Sequence, residues 1–128
     1  MTSIPGSSAV YKGGIISYCN EVKHDVLGVD TGLLNDCGAV SEPVAKVMAD
    51  GARKLLSADI AVSVTGLAGP GGDEFGHPVG TVYIGYSSEE ETTVKAFCFD
   101  GDRDSVRKQA AIAALKLILD RTGQNEEI

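Results

Sequence analysis

The sequence predicts an α/β fold in which helices cover both sides of a mixed β-sheet, a three-layer α/β/α arrangement. Two observations support this prediction. Apolar residues recur at helical spacing in two long segments, 41–57 and 102–122, and short β-rich runs lie between them. The chain has 128 residues, a length that suits one hydrophobic core, so we expect a single domain over residues 1–128.

The first strand-like segment is 10–18, in which apolar and aromatic residues surround two consecutive glycines. A glycine pair inside a strand permits a bulge or a close backbone approach. Residues 20–27 then predict a short helix, and residues 31–35 predict one more helical turn. We therefore expect a strand and two short helices before the first long helix.

Ser41 and Pro43 mark the start of the first long helix. The Ser41 hydroxyl can cap free amide groups, and Pro43 lacks an N–H that would have no partner in the first turn. Helical spacing continues to residue 57. The short apolar run 60–64 then predicts a buried strand.

A glycine-rich loop, T-G-L-A-G-P-G-G, occupies residues 65–72 and continues to Pro78. Successive backbone N–H groups can enclose an anion, and ligands of open α/β sheets commonly bind where such a strand ends. The loop contains neither a Walker motif nor G-x-G-x-x-G. Its local sequence therefore leaves a ligand-binding loop and a purely structural loop equally open.

The last part of the chain predicts two strands and a helix. The β-rich runs are 81–86 and 92–99, separated by an acidic turn. Asp102 suits the N-cap of the final helix and Gly123 suits its C-terminal end. Residues 124–128 are expected to form a loose tail.

Charge and composition narrow the possible partners. The net charge is −7 and no long Lys/Arg cluster occurs, so nucleic acid is not expected as a partner. No apolar run approaches the roughly 18 residues of a membrane span, and the first residues do not resemble a signal peptide. The three cysteines are widely spaced without C-x-x-C, which indicates reduced thiols. We expect a cytoplasmic location and no membrane partner.

Tyr18, Asn20 and Lys23 stand at a predicted strand-to-helix junction. A desolvated lysine can lose its proton and act as a base, and a tyrosine hydroxyl can relay a proton. On local sequence alone, a core tyrosine and a solvated helix lysine are the better interpretation of these residues. Arg103, at a helix N-terminus, suits phosphate binding. Its acidic neighbours leave a local ion pair as the alternative.

Asp73, Glu74 and His77 could imitate a metal site. Their spacing matches no helix face and no known ligand pattern, so polar loop residues are the better interpretation. An unrelated metal-dependent hydrolase remains a weaker alternative. We expect no metal.

Several strings, which follow one another in order and cover nearly the whole chain, resemble the CinA C-terminal family. They are P-G-S-S-A (5–9), G-I-I-S-Y-C-N-E-V-K (14–23), L-G-V (27–29), G-A-V-S-E (38–42), T-G-L-A-G-P (65–70), P-V-G-T-V (78–82) and G-D-R (101–103). Any one string would be weak, but the ordered set is specific.

The resemblance implies an amidohydrolase that converts nicotinamide mononucleotide into nicotinate mononucleotide and ammonia in pyridine-nucleotide salvage. It implies that Tyr18 and Lys23 are catalytic, that no cofactor or metal is required, and that both residues face a pocket roofed by the turn at residues 65–70. The substrate-binding residues implied around this pocket are Asn20, Thr65, Gly66, Ala68, Gly69 and Arg103.

The sequence departs from the family at one point. The resemblance implies a nucleophilic serine in an upstream E-S-C-T-G-G motif, and this string does not occur in the chain. We therefore expect a domain that lacks its first strand and helix, is inactive alone, and forms a homo-oligomer through the exposed sheet. The alternative is a non-catalytic nucleotide-binding or oligomerising module of a competence/damage-inducible protein.

Overall fold

The computed structural model describes residues 3–123. Three helices precede the sheet: α1 (Asn20–Asp25), α2 (Thr31–Cys37) and α3 (Glu42–Leu55). The sheet consists of β1 (Ile60–Gly66), β2 (Thr81–Ser88) and β3 (Thr92–Cys98), and α4 (Arg103–Thr122) follows it. The expected tail at 124–128 lies outside the described residues.

The sheet has the order β1-β2-β3, and both strand pairs are antiparallel. Val64 lies opposite Ile84, and Val82 lies opposite Phe97, which fixes the register of the two pairs. Helix α3 packs on one face and α4 on the other, so the α/β class and its helical layers are confirmed. Within residues 3–123 the sheet contains no parallel pair.

The sheet face under α4 is apolar. Its buried residues alternate along β2 and recur at helical spacing along α4, as a period of two in strands and 3.6 in helices requires. They are Val82, Ile84, Tyr86, Val106, Ala110, Ala114 and Leu117. Removal of this apolar surface from water is the main contribution of this layer to stability.

The face under α3 is built from small and polar side chains instead. The Ser63 hydroxyl donates to the Ala45 carbonyl of α3 at 2.6 Å. A Cβ at Gly85 would lie 2.6 Å from that same carbonyl oxygen, so only glycine permits the close approach of α3 to β2. This layer is therefore held by short side-chain-to-backbone bonds as well as by packing.

The predicted strand at 10–18 is not formed. Residues 11–18 adopt no regular secondary structure and pair with no strand within residues 3–123. Ile15 packs against the buried cluster of Leu27, Leu34 and Val44, whereas Ile16 is exposed. The segment is thus held from one side only, and its other side faces solvent.

The helix ends follow the predicted caps with one difference. The Asp102 side chain accepts from the Ser105 amide at 2.9 Å, and Gly123 ends α4 in the left-handed conformation. Ser41 is the N-cap of α3, but its hydroxyl donates to the Gly38 carbonyl at 2.8 Å instead of accepting from the first turn. No helix among the described residues is both long and apolar enough to cross a bilayer.

Candidate active site

Lys23 is the most unusual charged residue of the N-terminal region. It lies in the last turns of α1, only 6% of its surface is exposed, and its Nζ donates to the Ser17 carbonyl at 2.7 Å. Burial lowers the pKa of the Lys23 ammonium, and nearby Cys19 opposes this effect. A lysine in this setting loses its proton more readily than a solvated one, which is what a general base requires.

Tyr18 does not accompany Lys23 into the interior. Its side chain is 85% exposed, at the end of the irregular segment 11–18. Neither Tyr18 nor Lys23 lines either of the two cavities described below. The expectation that both residues face one pocket under the 65–70 turn is therefore not met in residues 3–123, because Lys23 turns back to Ser17 and Tyr18 turns outward.

One cavity, which we name the loop cavity, lies where α1 meets the glycine-rich loop. Its volume is about 320 Å³. It is lined by Asn20, Leu34, residues 38–40, Leu67 and residues 73–75. Asn20, a predicted substrate-binding residue, therefore shares a cavity with part of the predicted loop. This cavity lies next to α1.

The predicted residues of the loop itself are held by specific bonds. The buried Thr65 hydroxyl donates to the Ala39 carbonyl at 2.7 Å, which ties the end of β1 to the α2–α3 connection. Gly69 has a φ of 95°, and its carbonyl accepts from the Arg103 guanidinium at 2.9 Å. Arg103 thus braces the loop, while its flanking acids form no ion pair with it among the described residues.

Gly66 and Ala68 lie elsewhere, in a second cavity that we name the α4-face cavity. Its volume is about 310 Å³, and its lining is largely apolar. The residues that line it are Val64, Gly66, Ala68, Val82, Val106, Arg107, Ala110 and Ala111. The alternation of β1 continues into the loop, so that successive residues turn to opposite faces of the sheet. The predicted binding residues are consequently not gathered in one cavity, because Asn20 lines the loop cavity, Gly66 and Ala68 line the α4-face cavity, and the other three line neither.

Asp73 and His77 form a pair that the sequence interpretation treated as ordinary loop polarity. The Asp73 Oδ2 atom lies 2.6 Å from His77 Nδ1, and Oδ1 accepts from the amides of Phe75 and His77. The bond from His77 lowers the pKa of the Asp73 carboxyl. The spacing of four residues was the available signal, but only the fold shows that Asp73 lines a cavity. Among residues 3–123, no group of three His, Cys, Asp or Glu is placed to hold a metal ion.

Comparison with known proteins agrees with this architecture. A CinA-like protein of Geobacter sulfurreducens is 45% identical over 115 residues, which cover 90% of this chain and 28% of that protein. The competence damage-inducible protein A (ComA) from Klebsiella pneumoniae superposes with a TM-score of 0.92 at 34% identity, covering 97% of this chain and 77% of that structure. CihA from Agrobacterium tumefaciens, at 38% identity, gives 0.88 over 93% of this chain and 73% of that one.

The family model described as the CinA C-terminal domain matches residues 1–122, and the chain belongs to this family. The resemblance stated from the ordered strings is therefore confirmed. The chain spans about 28–30% of the length of the curated relatives that it matches.

Proposed function

We propose that the chain is the larger part of a nicotinamide-nucleotide amidohydrolase domain, acting in the cytoplasm in pyridine-nucleotide salvage. The observation that carries the proposal is the buried Lys23, whose pKa is lowered by burial and which lies on α1 beside Asn20. A neutral amine at this place can accept the proton of an attacking hydroxyl. The family resemblance supplies the substrate, nicotinamide mononucleotide.

The proposed chemistry has two steps. A serine hydroxyl attacks the carboxamide carbon, and Lys23 takes the hydroxyl proton directly or through Tyr18. Lys23 then returns the proton to the leaving nitrogen, ammonia departs, and an ester joins the serine to the nicotinoyl carbon. Water hydrolyses that ester to nicotinate mononucleotide and frees the serine. Backbone amides would stabilise the oxyanion in both steps.

We place the pyridinium ring in the loop cavity. Asn20 offers an amide that can bond to the carboxamide, and the acidic residues Asp73 and Glu74 also line this cavity. Opposite charges attract most strongly where water is partly excluded, so these carboxylates favour a cationic ring. Arg103 and the turn at 65–70 would hold the phosphate and ribose, since a guanidinium has further N–H groups besides the one bonded to Gly69.

The nucleophile is the part of the proposal that rests on the family resemblance. The resemblance implies a serine in an E-S-C-T-G-G motif, which these 128 residues do not contain. We propose that a segment carrying this motif contacts the outer side of residues 11–18, where Ile16 and Tyr18 are exposed. We further propose that the protein works as a homo-oligomer.

The test is ammonia release from nicotinamide mononucleotide by a chain extended upstream to include the motif. Lys23→Ala should lower kcat/KM by about 10² to 10⁴, the usual contribution of a general base. Lys46→Ala serves as the matched control, because Lys46 is an exposed lysine of α3. Full activity in the Lys23→Ala protein would refute the assigned role, and no ammonia from the extended parent would refute the proposed reaction.

A second candidate function is a non-catalytic nucleotide-binding or oligomerising module. Two observations favour it. The loop cavity is formed, and the E-S-C-T-G-G string does not occur in these 128 residues. Calorimetry on the 128-residue chain should then show mononucleotide binding without turnover. A folded chain that gives no heat of binding excludes this candidate as a nucleotide-binding module.

A further inference from the structure

The glycine-rich loop is fixed at its two ends by backbone bonds. The Leu67 amide donates to the Thr81 carbonyl at 2.9 Å, and the Gly80 amide donates to the Leu67 carbonyl at 2.8 Å. These bonds close the base of the loop, but they do not reach residues 73–75, which form one wall of the loop cavity. The position of this wall must therefore depend on other contacts.

The Asp73 carboxylate supplies three of those contacts. Its Oδ1 accepts from the amides of Phe75 and His77 at 3.1 and 3.0 Å, and its Oδ2 lies 2.6 Å from His77 Nδ1. An ionised carboxylate only accepts, so Nδ1 must carry the proton in this bond. The lowered pKa of Asp73, caused first by the bond from His77, agrees with an ionised carboxylate.

His77 connects this carboxylate to the sheet. Its ring meets Tyr83 of β2 edge to face, with centroids 6.1 Å apart and an interplanar angle of 75°. Both members of the Asp73–His77 pair are largely shielded from solvent, with side-chain exposures of 16% and 24%. One side chain thus bonds to the loop and packs against a rigid strand at the same time.

Phe75 shows what the pair holds in place. Its ring covers Gly38, where a Cβ would lie 2.7 Å from two of the ring carbons. Gly38 also lines the loop cavity. The position of Phe75 at this edge of the cavity therefore depends on the Asp73 carboxylate, which accepts from the Phe75 amide.

We propose that His77 is a positioning residue: by bonding to Asp73 and packing on Tyr83, it fixes the 73–75 wall and so sets the affinity of the loop cavity for a mononucleotide. The affinity half of this inference rests on the proposed function. His77 needs no contact with the reacting carboxamide in this role.

Two variants of His77 separate its donor from its ring. His77→Phe keeps an aromatic ring beside Tyr83 but removes the donor to Asp73. His77→Asn loses the ring but places an amide N–H near the position of Nδ1. Glu89→Gln, in the exposed β2–β3 turn, is the control for an unrelated surface change. All four proteins would be compared by thermal melting, amide hydrogen exchange at positions 75 and 77, and calorimetry with nicotinamide mononucleotide.

We expect His77→Phe to exchange its 75 and 77 amides about tenfold faster than the parent, the size expected for one lost bond to a charged group. It should bind the mononucleotide about tenfold more weakly with little change in Tm. His77→Asn should recover most of both losses. If the 75 and 77 amides of His77→Phe exchange at the parent rate, the positioning role is wrong, regardless of the measured nucleotide affinity.

Exchange rates and nucleotide affinity test the role of His77 and the proposed function separately. Faster exchange with unchanged affinity would refute the link between the wall and binding. A parent chain that binds no nucleotide would refute the proposed function, and with it the affinity half of the inference, while the exchange rates would still decide whether His77 fixes the wall.

Discussion

The loop cavity and the α4-face cavity lie in different parts of the described chain and differ in chemistry. Helices α1 and α2, the α2–α3 connection and the glycine-rich loop line the first, whereas β1, β2, Ala68 and α4 line the second. The loop cavity carries an amide and two carboxylates beside Phe75, whereas the α4-face cavity is lined mainly by valine and alanine. Their volumes are nearly equal, at about 320 and 310 Å³. Volume therefore does not distinguish them, and the placement of polar groups does. A small charged substrate needs the first kind of lining.

The comparison also shows that residues of one loop can line two cavities. Leu67 lines the loop cavity, while its neighbours Gly66 and Ala68 line the α4-face cavity. The loop keeps the alternation of β1 for a few residues after the strand ends. A substitution in this stretch should therefore affect one cavity and spare the other, and the comparison can be tested on that basis.

The largest effect is expected at Gly38. Its φ is 80°, a region that side-chain-bearing residues rarely adopt, and a Cβ would meet the Phe75 ring. Gly38→Ala should lower the free energy of unfolding by about 2 to 3 kcal/mol and weaken mononucleotide binding. Urea unfolding measures the first effect. Gly71→Ala is the control for stability, because a Cβ there meets no atom within 4 Å. Equal losses in both variants would contradict the explanation.

Val106→Ala tests the other cavity. Val106 lies on the buried side of α4, against the sheet, and loses two methyl groups in this variant. The free energy of unfolding should fall by about 2 kcal/mol, from the lost apolar burial and the enlarged cavity. Mononucleotide affinity should stay within about threefold of the parent. A loss of affinity matching the loss at Gly38 would mean that the nucleotide contacts the α4-face cavity as well.

Asn20→Ala should change binding without changing stability. Asn20 is exposed and lines the loop cavity, so the lost amide should weaken mononucleotide binding about tenfold, or about 1.4 kcal/mol. The free energy of unfolding should stay within about 0.5 kcal/mol of the parent. Asn35→Ala, on the exposed side of α2, is the matched control. Calorimetry that finds the two variants equal would remove Asn20 from the site.

The smallest effect is the dependence of loop stability on pH. The pKa of Asp73 is lowered by its bond from His77, so these bonds contribute fully above the ordinary carboxyl pKa of about 3.9. The contribution disappears as the pH falls through the lower folded value. The Tm difference between the parent and Asp73→Asn should therefore shrink as the pH falls below the ordinary carboxyl pKa of about 3.9. A difference that does not change with pH would contradict this.

The sequence predicted the body of the fold better than its beginning. Periodicity located α3, α4 and the three strands of the described sheet, because each of these elements buries one face against a neighbouring layer. The segment 10–18 has a strand pattern but no neighbour within residues 3–123, and propensity alone cannot form a ladder.

The site was predictable only in part. Ordered family strings singled out Lys23, and its burial gives that prediction a physical basis. They could not show that Gly66 turns to the opposite face from Leu67, since that depends on how far the strand's alternation extends. Nor could they reveal the contact between the Asp73–His77 pair and Tyr83, which depends on the position of β2.

A crystal structure of this chain with nicotinamide mononucleotide tests the central claim most directly. We expect the ring in the loop cavity, with the carboxamide turned toward α1 and Lys23 Nζ released from the Ser17 carbonyl so that it reaches the carboxamide directly or through one water. A nucleotide bound in the α4-face cavity, or one whose carboxamide points away from α1 while Lys23 stays bonded to Ser17, would contradict it.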